Sequence, residues 1–169
     1  MTESKNPTSR NSVDHFLRTA QTQHMELSAM ADRKASMVLG TCMILFTLIV
    51  GQIQVVDEKL PLFIMAVTAV VSAVFAILAV MPNFKNRSGE SQNLLFFGTF
   101  AKMSEQEYID TMFATMESNR DVYQTQIRDI YQIGQVLYQK KYRFLRYSYI
   151  CFLLGLLATS AAGAALIVS

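Results

Sequence analysis

The sequence predicts an all-α membrane protein with three transmembrane helices, two of them extended into a cytoplasmic helical stalk or bundle. Three observations carry this reading. Residues 35–56, 60–84 and 147–169 contain no Asp, Glu, Lys or Arg. The polar flanks of the first and third runs repeat apolar residues at steps of three and four. Nearly all cations fall on one side of the runs. At 1.5 Å per residue, 22 residues cover about 33 Å, against about 30 Å of bilayer core. A chain that is 51% hydrophobic and only 17% charged fits a small membrane protein better than a soluble domain.

Taken in order, residues 1–12 are expected to be disordered and residues 13–34 to form a cytoplasmic amphipathic helix. Val13, Phe16, Leu17, Ala20, His24, Leu27 and Ala31 form its apolar stripe. No Pro or Gly interrupts residues 13–39, so this helix should pass unbroken into the first span at 35–56. The first 34 residues lack the apolar core of a signal peptide, so no cleavage is expected. A second span is expected at 60–82, with Pro61 in its first turn and Pro82 at its exit. A third is expected at 147–168, after a loop and helical region at 83–146.

Of 15 Lys and Arg, all but Lys59 lie on one side of these spans. By the positive-inside bias that side is cytoplasmic, with the N-terminus inside and the C-terminus outside. No span carries a carboxylate, His or cation, which argues against a proton- or ion-coupled transporter. Cys42 and Cys151 read as small packing residues rather than a disulfide or metal pair. Small residues recur at Gly155, Thr159 and Gly163, at Ala66, Ala69, Ala73 and Ala76, and at Ser36 and Gly40. They let helices approach closely in lipid, within one subunit or between subunits. Three thin helices enclose little space, so a homo-oligomer in a lipid bilayer is expected.

In the cytoplasmic region, Asn83, Asn86, Ser88 and Gly89 suggest a loop. Residues 94–100 (LLFFGTF) are too short to cross, and read as a buried plug or an interfacial segment. Ser104-Glu105-Gln106-Glu107 is a capping box opening a helix. A second helix should begin near Asn119, with Tyr123, Ile127, Ile130, Gly134, Leu137, Lys141 and Phe144 as a coiled-coil-like seam.

Catalysis finds little support. His15 and His24, nine residues apart on one helix, face opposite ways and cannot share a metal. The polar side has no Cys nucleophile and no Gly-rich phosphate loop. His24, Ser28 and Asp32, at steps of four, form a polar row able to bond in sequence. They serve either an interhelical network or a ligand; nothing supplies the oxyanion hole a hydrolase needs. No enzymatic activity, metal or cofactor is expected, and a net charge of +2 gives no reason to expect nucleic acid.

A binding site remains. Arg33, Lys34, Arg87, Arg128, Lys141, Arg143 and Arg146 could hold a phosphate or simply anchor topology on anionic lipid. Arg128 lies too far from the third span for headgroup contact. Arg128-Asp129 is either an internal ion pair or part of a ligand pocket. Tyr123, Tyr131, Tyr138, Phe96 and Phe97 offer faces for stacking a base.

Three ordered motifs then carry a resemblance. The first is His24-x-x-Leu27-Ser28-x-x-Ala31-Asp32-Arg33-Lys34-Ala35-Ser36. The second is residues 93–100, followed by Tyr108. The third runs from Arg128-Asp129-Ile130-Tyr131 through Gly134, Val136, Leu137, Lys140, Lys141 and Arg143 to Tyr149. Together they resemble the Pycsar transmembrane effectors. The resemblance implies a bacterial anti-phage effector in the inner membrane, whose functional partner is a pyrimidine nucleotide cyclase. The activating ligand would be cyclic CMP or cyclic UMP, and the outcome impaired membrane integrity and abortive infection. The resemblance does not place that ligand; from their charge and aromatic faces, the residues expected to meet it are Arg128, Asp129, Tyr131, Arg33, Lys34, Lys141 and Phe97. The alternative is a small oligomeric channel or structural membrane protein that no nucleotide gates.

Overall fold

The structure, a computed structural model, describes residues 10–82 and 93–168. The loop expected around Asn83–Gly89, and residues 1–9 of the expected N-terminal segment, lie outside these. Of the described residues 87% are helical and none forms a strand. The order is α1 (Arg10–Gln52), α2 (Leu60–Val80), α3 (Phe97–Phe100), α4 (Glu105–Met116), α5 (Asn119–Val136), a π-helical turn (Leu137–Tyr142) and α6 (Arg143–Val168). Three helical stretches are long and apolar enough to cross a membrane: Arg10–Gln52, Leu60–Val80 and Asn119–Leu166.

Local chemistry sets the ends. Pro61 falls in the first turn of α2, where a missing N–H costs nothing. At the other end Met81 is extended, with ψ 124°, because the following Pro82 bars it from helical geometry. Ser104 caps α4 by accepting from the Glu107 N–H at 3.2 Å, as the capping-box spacing predicts.

The chain divides into two compact units. One comprises Leu27–Pro82 and Val136–Ser169 and holds the apolar runs. Its core is built from Ala31, Ala35, Val38 and Cys42 of α1, Ala69, Ala76 and Ala79 of α2, and Leu145 of α6. Such short side chains allow close helix approach where lipid offers no hydrophobic drive. The tightest pairing is α2 with α6. Ser72 donates to the Ser148 carbonyl at 2.9 Å and Ser148 to the Ser72 carbonyl at 2.8 Å. Both serines are fully buried. One turn along α2 and two along α6, Gly155 lies so close to Thr68 that a Cβ there would overlap it. Gly40 and Gly163 have open space instead, so of the glycines in these stripes Gly155 is the one packed within the subunit. Phe75 and Tyr147 meet at 5.8 Å between ring centres. A shallow groove of about 180 Å³, lined by Met37, Val38, Thr41, Tyr149 and Phe152, separates the faces of α1 and α6.

The other unit comprises Met1–Glu26 and Asn83–Gln135. Its buried apolar side chains, among the described residues, are Leu17 and Leu94. The 94–100 segment divides between the two expectations for it. Leu94, Gly98 and Thr99 are buried while Leu95, Phe97 and Phe100 are exposed. Phe100 stacks against Tyr108 at 5.2 Å.

The buried edge of α1 differs from the predicted stripe. Phe16 is 71% exposed and Leu27 39%. The residues turned inward are Leu17, Gln21, His24, Ser28, Ala31, Ala35, Val38, Cys42, Leu45 and Ile49, alternating by four and three. Polar Gln21 and Ser28 hold these positions because partners across the helix contact satisfy them, as described below. The predicted α5 seam departs at one position: Tyr123, Ile130, Gly134, Leu137, Lys141 and Phe144 are buried or half-buried, while Ile127 is 55% exposed and Asp129 is buried.

Gly155→Ala is expected to cost about 1–3 kcal/mol through overpacking against Thr68. Gly163→Ala should stay within about 0.5 kcal/mol of wild type. Reversible unfolding in mixed detergent micelles measures both, and equal effects would contradict the close α2–α6 contact.

Candidate functional site

Each unit contains one polar cluster on a helix contact, and the sequence-selected residues divide between them. In the Met1–Glu26 and Asn83–Gln135 unit, polar pairs run between α1 and α5. Arg10 Nη2 donates to Asn119 Oδ1 at 3.0 Å, the Tyr123 hydroxyl to Asp14 Oδ1 at 2.8 Å, and Gln21 Nε2 to Asp129 Oδ2 at 3.2 Å. Residue numbers rise together along both helices, so within this unit the two run parallel. The bond to the Asp14 carboxylate holds the Tyr123 phenol above its usual pKa.

Asp129 is the buried centre of this cluster, 6% exposed. Its other oxygen accepts from Asn93 Nδ2 at 2.9 Å. The second proton of that amide reaches Gln132 Oε1 at 2.9 Å, and Asn93 Oδ1 accepts from the Leu95 N–H at 3.0 Å. Asn93 thereby ties the turn before α3 to α5. Burying a carboxylate costs several kcal/mol unless donors surround it, and two amides do so here. Arg128 and Asp129 do not pair: neighbours on a helix point about 100° apart, and Asp129 turns inward. Of the two alternatives the sequence left open, the internal ion pair is therefore not formed. Arg128 is half-buried on the flank of α5. Tyr131 is 60% and Phe97 50% exposed, with Phe97 against the Phe96 ring at 4.9 Å.

His24 does not bond along the polar row. Its Nδ1 donates to the Ala20 carbonyl at 2.8 Å, and its Nε2 faces Gly134, where a Cβ would come within 3.2 Å. Ser28 and Asp32, in the Leu27–Pro82 and Val136–Ser169 unit, are both taken by Lys141. Its Nζ lies 2.7 Å from Ser28 Oγ and 2.7 Å from each Asp32 carboxylate oxygen. Among the described residues this is the ion pair, with side chains 18% (Lys141) and 44% (Asp32) exposed. Arg33 and Lys34 follow it on α1 and are exposed.

Lys141 belongs to the π-helical turn, and its neighbours also reach across. Lys140 Nζ donates to the Met81 carbonyl at 2.7 Å, giving a cation to the C-terminal end of α2. The Tyr142 hydroxyl donates to the Leu27 carbonyl at 3.3 Å. Three consecutive residues thus bond to two helices, and π-turns of this kind concentrate at functional positions. The sequence marks Lys140 only as one of the cations that set the orientation and as part of the third motif. It gave no signal for Gln21, Asn93 or Gln132, whose amides are read only through the partners they meet.

One comparison decides the family. A model described as the Pycsar effector protein domain matches residues 15–169. The chain belongs to the Pycsar effector family. Neither a curated protein nor a solved structure matches it. As a Pycsar effector it has a role in anti-phage defence, in a family of effectors rather than catalysts. The family links it to a cyclase-made signal, and its membrane-spanning helices fit a membrane-embedded effector.

A double-mutant cycle with Lys141→Met and Asp32→Asn should return a coupling of about 1 kcal/mol. Micelle unfolding of the four proteins measures it; additivity within about 0.3 kcal/mol would show the pair to be energetically silent.

Proposed function

We propose that this effector senses a cyclic pyrimidine nucleotide, cyclic CMP or cyclic UMP, through its cytoplasmic helices and then impairs inner-membrane integrity, aborting the infection. The observation that carries the reading is α1. It is a single helix of 43 residues that bears the polar pairs at one end and an uncharged run at the other. A ligand that changes the packing of the first part acts on an element that continues into lipid. The protein would work as a homo-oligomer in the bacterial inner membrane, N-terminus cytoplasmic and C-terminus outside. A pyrimidine nucleotide cyclase would be its partner through the diffusible product.

The nucleotide would meet Arg128 with its phosphate and Tyr131 or Phe97 with its base. Arg gives a bidentate phosphate grip, and exposed rings give stacking faces. Asp129 would keep α5 in register through Gln21 and Asn93. In the other unit, Lys141 is the cation whose bond to Asp32 an anion would weaken, with Arg33 and Lys34 next to that carboxylate. A ligand shifts such an equilibrium only by its differential affinity for the two packings, so the unliganded protein must be mostly closed.

Purified protein in dye-loaded liposomes should release dye on addition of cyclic CMP or cyclic UMP and not of cyclic AMP. Leakage without any nucleotide would favour an ungated channel. Arg128→Ala should weaken nucleotide binding by about tenfold or more, the loss of one charge-assisted contact of about 1.5–3 kcal/mol. Calorimetry that finds unchanged affinity removes Arg128 from the site.

A further inference from the structure

Helix α4 is amphipathic, yet in the single chain it buries no residue. Its inward edge is only half-buried, through Tyr108, Thr111, Met112 and Thr115. Its outward edge carries Ile109, Phe113 and Met116 at steps of four and three, 37%, 63% and 53% exposed. At 12 residues, about 18 Å, α4 is too short to cross a bilayer. With only Leu17 and Leu94 buried among the described apolar side chains of its unit, an apolar stripe left in water would go uncompensated.

The charges around the stripe select its cover. Glu105, Asp110 and Glu117 border it, and residues 103–119 contain no Lys or Arg. An anionic leaflet would be repelled, and a second α4 laid against the first would set like charges together. The same unit offers one complementary edge on α5. There Ile127 and Tyr131, 55% and 60% exposed, lie in line with Arg120 and beside Arg128. Asp121 is the exposed acid of that helix.

We propose that α4 of one copy docks on the Ile127–Tyr131 edge of α5 in the next copy, carboxylates against Arg120. The contact joins two different patches, so it is heterologous and repeats head to tail, closing into a ring where the rotation permits. It deepens the homo-oligomer of the proposed function by naming its surface. It also places Arg128 and Tyr131 at a subunit boundary.

The test uses the full chain in membranes, with Cys42→Ala and Cys151→Ala removing both native thiols. Phe113→Cys is placed in one tagged copy and Ile127→Cys in another, and oxidation is carried out with and without cyclic CMP or cyclic UMP. A disulfide-linked dimer carrying both tags is expected only when the two variants are co-expressed. Glu117→Arg in the first copy should reduce it, and Arg120→Glu in the second should restore it. Dimers from Phe113→Cys alone or Ile127→Cys alone, or no dimer from the pair, overturn the assignment. The readout is independent of nucleotide affinity, so failure here leaves the Arg128→Ala measurement to decide sensing by itself.

Discussion

In hydrocarbon a peptide N–H or C=O has no water to bond, so a crossing segment must pair each group within its own helix. That constraint makes the apolar runs continuous helices, and it reaches beyond them. Once α1 is helical through its uncharged half, nothing in its sequence breaks it before Arg10. The π-helical departure from regular backbone falls outside the uncharged runs. The π-helical turn sits among lysines and a tyrosine that bond to α1 and to the end of α2.

The two units are held by different chemistry. In the one bearing the apolar runs, Ala, Ser and Gly bring helices close, the paired serines bond without charge, and Lys141 and Asp32 add one half-buried ion pair. In the other, amides, a hydroxyl and a buried carboxylate do most of the pairing. Polar side chains at helix-contact positions specify register at a cost in stability. A contact of this kind exchanges one set of hydrogen bonds for another with little net change in energy. That suits the sensing role proposed for these helices.

Much of this was legible in the sequence because it rests on counting. Uncharged runs, Pro61 and Pro82, and the Ser104–Glu107 spacing each act through nearby residues, and the helices follow them. What escaped rests on partners distant in sequence. Apolarity alone placed Phe16 and Leu27 inside, whereas Gln21 and Ser28 hold those positions through Asp129 and Lys141. The same applies to Asn93, which reads as a turn residue until Asp129 and Gln132 are seen to share its amide. The π-helical turn left no mark on the residue types, since Leu137-Tyr-Gln-Lys-Lys-Tyr142 suits an ordinary helix.

The paired serines carry a mechanical corollary. Ser72 and Ser148 exchange hydrogen bonds in both directions, and Gly155 admits Thr68 beside them. Sliding or rolling either helix would strand two hydroxyls where no solvent can rescue them. Across from α6, α1 offers alanines and an open furrow. The twin helices α2 and α6 therefore form a fixed strut, and α1 is the piston left for the membrane lesion proposed above.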